Sequence, residues 1–389
     1  MCRERREGAI TCRCVVYFSE KVGVGSYVRN AEPYDDFGSG RPRTKRPLRL
    51  ALVGIFATIL TIFSIQSAGA NHIHMHGGPF VGVVLGVTID PVDPRTVFVV
   101  AHGGGVFRSK NGGASWTVLN EGLPNKQVFS LALHPKEPGK LYLGTDQGIF
   151  FSGVRGAKWR PLSRDLDKRN IRAIAIDPAE PDVLYAATDR GVFLGKKNRW
   201  RRNSIGIAND DVRALAVNPD GAVFAATFGG IYKKQRSDDR WQEVGKGLSD
   251  KRVRALALDP LSPEIVYAGT ATSGVYKTIN GGKSWQEYNR GLLNSTVLSL
   301  IRVPLLDQPV YVGTVDGIFK SNNGKNQWQS IGPDLPFTVS AIAYNPKQPR
   351  QLYAGSGGRL YVSSNGGKNW RESSSEINYF GTVSHSTKR

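Results

Sequence analysis

Hydrophobic and polar positions along residues 81–376 follow a repeated pattern of four short apolar runs. In one repeat the runs lie at residues 254–260, 266–270, 274–277 and 284–287. The runs are rich in Val, Ile, Tyr, Leu and Ala, and the residues between them are Gly, Pro, Asn and Asp, which favour turns. No stretch carries a 3.6-residue apolar period long enough for a helix. The pattern therefore predicts four short antiparallel strands in each repeat.

Two residue types mark the period of the repeat independently. The seven tryptophans are 43, 41, 41, 44, 43 and 42 residues apart: Trp116, Trp159, Trp200, Trp241, Trp285, Trp328 and Trp370. A proline ends an apolar run once in every repeat: Pro91, Pro135, Pro178, Pro219, Pro260, Pro304 and Pro346. A unit of about 42 residues with four strands has the size of one propeller blade. We therefore predict an all-β fold, a seven-bladed β-propeller of four-stranded antiparallel blades over residues 81–376.

The recurring glycines and tryptophans have physical roles in such a blade. A glycine precedes the third run of six repeats, where a tight turn with φ > 0 suits a residue without a Cβ: Gly105, Gly148, Gly191, Gly230, Gly274 and Gly317. In the last repeat Arg359 follows Gly358 at this place. Each tryptophan is predicted to bury its large ring between neighbouring blades.

An apolar run of 17 uncharged residues, 50–66, precedes the repeats. Five cationic residues lie within positions 41–49, and Ala68-Gly69-Ala70 follows the run. Residues 50–70 are therefore predicted to be a signal peptide cleaved after Ala70 or a retained membrane anchor. Either alternative exports the repeats as a periplasmic, secreted or membrane-anchored protein, since the positive flank stays inside. Residues 1–49 form a basic extension that is disordered or reflects a start codon assigned too far upstream.

Composition narrows the class of protein. The chain of 389 residues has 40% hydrophobic and 22% charged residues, which excludes a disordered chain and a multi-span membrane protein. Its three cysteines are Cys2, Cys12 and Cys14, so the repeats hold no disulfide, no thiolate metal site and no cysteine nucleophile. Residues 71–389 carry 41 basic and 26 acidic residues, and this excess favours acidic partners.

Four repeats carry the motif Ser/Thr-x-Asn-Gly-x-x-x-Trp, which ends at Trp116, Trp285, Trp328 and Trp370. The motif resembles the Asp-box, or BNR repeat, a hairpin turn between the third and fourth strands of propeller blades. Asn stands where that family often has Asp, and both residues accept φ > 0 and bond to their own turn. Repeat 2 keeps the length without Asn-Gly, and repeats 3 and 4 are degenerate.

Asp-box propellers include sialidases, xyloglucan-type glycosidases, sorting receptors and the photosystem II stability/assembly factor family. An exported single seven-bladed propeller is most similar to the assembly-factor family and its non-photosynthetic bacterial relatives. The resemblance covers about residues 80–376. It implies a non-catalytic scaffold that binds a partner protein, which in photosynthetic organisms is a reaction-centre precursor.

Arginine occupies one position in three successive repeats, at the start of the innermost predicted strand: Arg172, Arg213 and Arg254. Other repeats have Phe129, Leu298 and Ser340 there. Three adjacent blades then present three guanidiniums on the channel face, where they suit clustered carboxylates or phosphates. The alternative is that each arginine pairs locally with a loop acid such as Asp146 or Asp189, or lies along the surface.

Three further segments carry weaker signals. Residues 196–202, Lys-Lys-Asn-Arg-Trp-Arg-Arg, replace the Asn-Gly turn of repeat 3 and are interpreted as solvated charge on the outer edge. His72, His74 and His76, in the linker 71–80, lie on one side of an extended chain and are a weak candidate Cu or Zn site without a fixed fourth ligand. The polar tail 377–389 either adds a strand that closes the ring or frays.

Catalytic motifs are missing from the repeats. A glycosidase needs two carboxylates, but the loop acids Asp146, Asp189 and Asp316 lie beside turn glycines, where Asp forms turns. We therefore predict a non-enzymatic monomer without cofactor or metal. It binds a protein with an acidic surface, for example a membrane-protein complex, and it binds no nucleic acid. The alternative is a carbohydrate-active propeller, either a sialidase-like or xyloglucanase-like hydrolase or a glycan-binding module.

Overall fold

The computed structural model describes residues 82–378, except residues 138, 198, 323–324, 334, 336–337 and 374–376. The predicted signal or anchor segment 50–70, the histidines His72, His74 and His76 and the tail beyond residue 378 lie outside the described residues. Those predictions therefore stay predictions. Within the described range no helix has the length and apolar character needed to span a bilayer.

Seven antiparallel sheets form the described chain, and they confirm the predicted all-β, seven-bladed propeller. The strands of blades 1 to 4 are β1 (Val83–Ile89), β2 (Val97–His102), β3 (Gly105–Ser109), β4 (Trp116–Val118); β5 (Val128–Leu133), β6 (Leu141–Thr145), β7 (Gly148–Ser152), β8 (Arg160–Pro161); β9 (Ile171–Ile176), β10 (Val183–Thr188), β11 (Gly191–Lys196), β12 (Arg199–Arg202); β13 (Val212–Val217), β14 (Ala222–Thr227), β15 (Gly230–Gln235) and β16 (Gln242–Glu243).

The strands of blades 5 to 7 are β17 (Val253–Leu258), β18 (Val266–Thr270), β19 (Val275–Thr278), β20 (Gln286–Glu287); β21 (Val297–Arg302), β22 (Val310–Thr314), β23 (Gly317–Ser321), β24 (Trp328–Ser330); β25 (Val339–Asn345), β26 (Gln348–Ser356), β27 (Arg359–Ser363) and β28 (Arg371–Glu372). In every blade the strands follow chain order across the sheet. The helical part of the described residues is one 3-10 turn, Arg164–Leu166, after blade 2.

The blades close into a ring through their first strands. Each first strand contacts the first strands of the preceding and following blades, and β1 contacts β25, so β1, β5, β9, β13, β17, β21 and β25 line the axis. A last strand, β29 (Ile377–Asn378), pairs in parallel with β4 at the outer edge of blade 1. The carboxyl-terminal end of the described chain is therefore joined to the blade formed by its amino-terminal end.

The hydrophobic core is divided into seven clusters, each built from two neighbouring blades. Every cluster contains one tryptophan, which lies against the preceding blade. None of the seven tryptophans is more than 9% exposed, which confirms their predicted place in the core. Burying an aromatic ring of this size gives several kcal/mol per blade interface, on the order of the cost of truncating it. The tryptophan period in the sequence is thus the period of the blade interfaces.

Turn chemistry fixes both ends of each blade. The six glycines at or directly before the starts of third strands have φ from +72° to +132°, as predicted. At the opposite end, Asp90 Oδ1 accepts hydrogen bonds from the backbone N–H groups of Val92 and Asp93, and Asp177 Oδ1 accepts them from Ala179 and Glu180. These Asx turns end the first strand and start the second, which explains the recurring Asp/Asn-Pro pair.

The Asn-Gly turn joins the third and fourth strands in a fixed geometry. In blade 5, Thr278 Oγ1 accepts a hydrogen bond from the Gly282 N–H at 3.0 Å, and Asn280 Oδ1 accepts one from the Ser284 N–H at 3.0 Å. Blades 1 and 7 repeat both bonds. Gly282 has φ +93°, and a Cβ there would lie 3.1 Å from Val244 of blade 4. The turn is therefore packed against the preceding blade, where a larger residue would be crowded.

Candidate functional site

A β-bulge occurs at the same place in all seven first strands. The pairing with the second strand shifts by one residue after the first position of the strand, or after the second position in β1, which leaves one unpaired residue in each blade. These residues are Leu85, Phe129, Arg172, Arg213, Arg254, Leu298 and Ser340. A bulge changes the direction in which a side chain points. The position that the sequence singled out is thus a repeated structural feature at one end of the ring axis.

The three arginines converge on two residues of blade 4. Arg172 and Arg213 both form ion pairs with Asp211, and the second of these is a hydrogen bond of 2.6 Å from Nη2. The Arg213 guanidinium lies 4.1 Å from the centre of the Phe228 ring, and that of Arg254 lies 5.7 Å from the same ring. We call Arg172, Arg213, Arg254, Asp211 and Phe228 the arginine mouth. In this cluster three cationic side chains share one carboxylate and one aromatic ring as interaction partners.

The surroundings of the three arginines in the arginine mouth disfavour the charged form of each side chain. Burial, and secondarily Arg213, lowers the pKa of Arg172 to about 10, while Asp189 opposes the shift. Burial also lowers the pKa of Arg213. Burial, followed by Arg213 and Arg252, lowers the pKa of Arg254 against the opposing effect of Asp250. All three remain cationic near neutral pH, so the folded protein maintains close positive charges that one carboxylate does not neutralise.

The loop acids have other hydrogen-bond partners. Asp146 accepts hydrogen bonds from the Asn125 side chain, at 3.0 and 3.1 Å, and from Gln147. In the same way Asn170 donates to Asp189 and Asn294 donates to Asp316. These bonds tie the turn between the second and third strands to the loop that enters the blade. Neither Asp146 nor Asp189 forms an ion pair with the three arginines, but the loop acid Asp211 does pair with Arg172 and Arg213, so the alternative of local pairing holds for these two arginines with a different acid.

Apolar and aromatic side chains occupy the bulge on the other side of the ring. Phe129 of blade 2 stacks on His102 of blade 1, with ring centroids 5.2 Å apart and planes 25° apart. Leu85 is 37% exposed, and Leu298 is half-buried. The bulge ring is therefore two-sided, basic over blades 3 to 5 and apolar over blades 1, 2 and 6. A protein surface with a carboxylate cluster beside an apolar patch matches this division.

Two residues of the arginine mouth are not predictable from the repeat pattern. Asp211 lies in the entering loop, which varies in length and sequence. Phe228 directly follows the last residue of the second strand, a place that holds Asp, Ala, Val or Gly in blades 2, 3, 5, 6 and 7. The one available signal is Asn209-Asp210-Asp211 directly before Arg213, an acidic pair beside a basic position. No described His, Cys, Asp or Glu residues form a group of three suited to a metal ion.

Comparisons with known proteins give the fold. No family model matches the chain, and no curated protein matches its sequence. An ancestral GH74 enzyme superposes with a TM-score of 0.64 and 22% identity, over 76% of this chain and 47% of the enzyme. The extracellular domain of a putative one-component system from B. thetaiotaomicron gives 0.61 and 15% identity, over 74% and 39%. The chain thus spans about half of these longer proteins or less.

Two single propellers match over nearly their full length. YCF48 bound to D1 peptide gives a TM-score of 0.57 and 16% identity, over 74% of this chain and 94% of that one. The WD40 propeller of Doa1 gives 0.58 and 14% identity, over 74% and 93%. At such identities the likeness establishes a shared propeller fold. Since a GH74 enzyme, an extracellular domain of a one-component system, a WD40 propeller and a propeller bound to a peptide share it, the fold leaves the function to be argued from the site.

Proposed function

We propose that the chain is an exported, non-catalytic propeller scaffold, similar in role to the assembly factors, which binds the acidic surface of a partner protein through Arg172, Arg213 and Arg254. The observation that carries the proposal is the sharing of Asp211 by two of the three guanidiniums while Arg254 forms no ion pair with a described residue. Carboxylates of a partner supply the missing counter-charges. On this proposal the Asn-Gly turns are Asp-box repeats and residues 50–70 direct export.

The electrostatics support an incomplete site. Desolvation and mutual repulsion lower the pKa values of the arginines, which means that the isolated fold is less stable with these side chains charged. A partner carboxylate relieves that repulsion on binding. Guanidiniums already held by a bulge, by Phe228 and by Asp211 lose little side-chain entropy when they bind, so they are preorganised.

The non-catalytic part of the proposal rests on the carboxylates near the mouth. Glycoside hydrolysis uses two carboxyl groups at a set separation. Asp211 is held by two arginines, and the neighbouring Asp146 and Asp189 accept hydrogen bonds from asparagines of the entering loops. These contacts favour a binding role for the mouth. The carbohydrate-active alternative has no supporting contact here, and it becomes an outcome of the test below.

The test is capture of a partner by the full chain from detergent-solubilised membranes, read by quantitative mass spectrometry. The site variant is Arg172→Gln/Arg213→Gln/Arg254→Gln. The matched control, Lys110→Gln/Lys283→Gln/Lys368→Gln, removes the same charge from three exposed lysines of the Asn-Gly turns. The proposal predicts one protein that wild type and control retain, that the site variant loses, and that high salt releases.

Two results contradict the proposal. Equal capture of that protein by all three chains removes the arginine assignment. Failure of wild type to retain any protein, together with binding on a glycan array that the site variant loses, supports the carbohydrate-active alternative instead. Circular dichroism of each variant checks that the fold is intact.

A further inference from the structure

Blade 3 borders a second, separate cavity system on the outside of the ring. A groove of about 630 Å³ lies between blades 3 and 4 and is lined by Tyr185, Leu194, Lys196, Arg201 and Arg236 among others. A second cavity of about 660 Å³ shares Leu194, Lys196 and Arg201 with it and extends along the edge of the blade: its further lining residues are Lys197, Arg199 and Trp200. Because the two share a wall, we treat them as one feature, the blade 3 groove.

The groove exists because the turn of blade 4 departs from the Asn-Gly pattern. In blade 5 the turn places Gly282 against Val244 and Phe224 and so covers the edge of blade 4. In blade 4 the corresponding segment reaches blade 3 through Arg236 instead. Arg236 donates two hydrogen bonds, of 2.5 and 2.7 Å, to the fully buried Asp177. This contact holds the two blades together beside the cavity and leaves the cavity itself unfilled.

One face of the hairpin of β11 and β12 forms the basic wall. Leu194 pairs with Arg201 across the strands and Lys196 pairs with Arg199, so all four side chains lie on the same face. Like charges directly opposite each other destabilise a sheet. The sequence thus places Lys196 against Arg199 at a cost in stability.

Acidic residues neutralise this wall only in part: Glu180 and Asp220 line the groove between blades 3 and 4 beside the cations. Lys196 lies 3.1 Å from Glu180, and Arg201 lies 3.3 Å from Asp239. Both are weak surface pairs, since the two cationic side chains are 60% and 62% exposed. Lys197 and Arg199 form no ion pair with a described residue. No carboxylate lines the cavity along the edge of the blade.

We propose that the blade 3 groove binds a single anionic polysaccharide chain, whose carboxylate or sulfate groups contact Lys196, Arg199 and Arg201. The volume suits a short segment of a linear chain. Arg199 and Arg201 lie on one face of β12 about 7 Å apart, and Lys196 lies opposite Arg199, so the three cations form a cluster that can contact neighbouring anionic groups of a polymer. Leu194, which is half-buried, supplies apolar surface for a sugar ring. A flat membrane or a nucleic-acid duplex does not enter a concave groove between two blades.

This site is distinct from the arginine mouth. Arg172 lies at the start of β9, whereas Lys196 lies at the end of β11, which runs in the same direction as β9. The two sites are therefore at opposite ends of blade 3, and the glycan proposal stands or fails independently of the proposed function.

The test is titration of the full chain with fluorescently labelled polygalacturonate oligomers, followed by anisotropy at low and physiological salt. The variant Lys196→Gln/Arg199→Gln/Arg201→Gln is expected to bind about tenfold more weakly or worse, since three charge-assisted contacts are lost. The control Lys110→Gln/Lys283→Gln/Lys368→Gln and the arginine-mouth variant are expected to bind within about twofold of wild type, because charge-assisted contacts act at short range.

Several outcomes overturn the proposal. If the wild-type protein does not bind polygalacturonate, the proposal is overturned directly. Equal weakening by the groove variant and the lysine control shows attraction to net charge alone. Tighter binding to phosphatidylglycerol vesicles or single-stranded DNA, with the same dependence on the groove variant, assigns the groove to another class of ligand.

Chemical footprinting locates the contact on the protein. Acylation of lysines with an N-hydroxysuccinimide ester, read peptide by peptide by mass spectrometry, is expected to fall at Lys196 and Lys197 when polygalacturonate is present. Lys110 and Lys283 are expected to keep their reactivity. Protection of all four lysines, or of none, contradicts a ligand held in the blade 3 groove.

Discussion

Blade 5 and blade 3 have the same four strands but different outer turns. In blade 5 the Trp285 indole N–H donates a hydrogen bond of 2.6 Å to the Val244 carbonyl of blade 4. In blade 3 the Trp200 indole N–H is buried and makes no hydrogen bond among the described residues. Its ring lies against Gly195, where a Cβ would come within 2.6 Å. Both tryptophans pack against the preceding blade, but only Trp285 also donates a hydrogen bond to it.

The difference shows how a propeller accommodates a binding surface. Six tryptophans donate to the preceding blade, and the ring is stabilised by those regular interfaces. Blade 3 replaces the packed turn with a short hairpin that carries cations and has Lys197 at φ +50°. A buried donor without an acceptor and a non-glycine residue in the left-handed region both cost stability. The regular blades provide the stability that this irregular blade lacks.

The largest expected effect is the loss of a regular tryptophan. Trp285→Ala is expected to lower the free energy of unfolding by about 3 to 5 kcal/mol, because it opens a cavity and leaves the Val244 carbonyl unpaired. Trp200→Ala is expected to cost about 1 kcal/mol less, since no indole hydrogen bond is lost. Urea unfolding of both variants, followed by circular dichroism, gives the comparison. Equal losses show that the two interfaces are equivalent.

The architecture of the regular blades was predictable because packing imposes a period on the sequence. Every blade interface needs one large ring, and a glycine at positive φ lies at or directly before the start of every third strand, so the tryptophans and glycines recur at nearly fixed spacing. Arg172, Arg213 and Arg254 were identified for the same reason: a bulge repeats at their position. A structural feature that recurs in every blade can therefore be detected in a single sequence.

The parts of the molecule that do not recur from blade to blade could not be predicted from the sequence. Asp211 and Phe228 lie in loops whose lengths vary, so nothing placed them beside the arginines. The run at residues 196–202 was identified as charge on the outer edge, but the groove beside it depends on the turn of the next blade and on the long-range pair of Arg236 with Asp177. Such contacts join positions 59 residues apart and follow no period.

A smaller effect is expected from the Asn-Gly turn of blade 5. Asn280→Ala removes the acceptor of the Ser284 N–H and the side-chain contacts to Thr278 and Ser284. The expected loss is about 1 to 2 kcal/mol of unfolding free energy, comparable with the loss of a cap at a helix start. Urea unfolding tests it, with Asn280→Asp as the control. Asp keeps the Oδ1 acceptor, so a similar loss in both variants assigns the effect to something other than the turn.

The turns that follow the first strands of blades 2 and 5 are expected to differ in how their stability depends on pH. Blade 5 has Asp259 at the turn after its first strand and blade 2 has the buried His134, whose Nδ1 accepts the backbone N–H groups of Lys136 and Glu137. Burial lowers the pKa of His134 below 6.5, while nearby Glu137 and Asp182 oppose the shift and Lys136 and Lys140 add to it. The unfolded chain therefore binds the proton more readily. Stability from this turn is complete above pH 6.5 and is lost as the pH falls below it.

Replacing the histidine isolates that contribution. His134→Asn keeps a side-chain acceptor, as at the same place in blades 4 and 7, and removes the titration. The variant is expected to lose less stability than wild type between pH 7.5 and 5, by about 1 kcal/mol or less. Urea unfolding at several pH values measures the difference. Parallel pH profiles for the two proteins contradict the role given to His134.

The smallest expected effect on the free energy of unfolding comes from a substitution in the arginine mouth, and the sign of this effect is more informative than its size. Burial and the neighbouring Arg213 lower the pKa of Arg254, which means that folding disfavours its charge. Arg254→Gln is therefore expected to leave the unfolding free energy unchanged or to raise it, within about 0.5 kcal/mol.

Arg302→Gln is the contrasting control, because Arg302 is buried and donates a 2.8 Å hydrogen bond to Asp259. Loss of that partner leaves a buried carboxylate and is expected to cost about 3 kcal/mol or more. Urea unfolding that shows Arg254→Gln to be clearly destabilised makes Arg254 a structural residue of blade 5 and removes it from the arginine mouth.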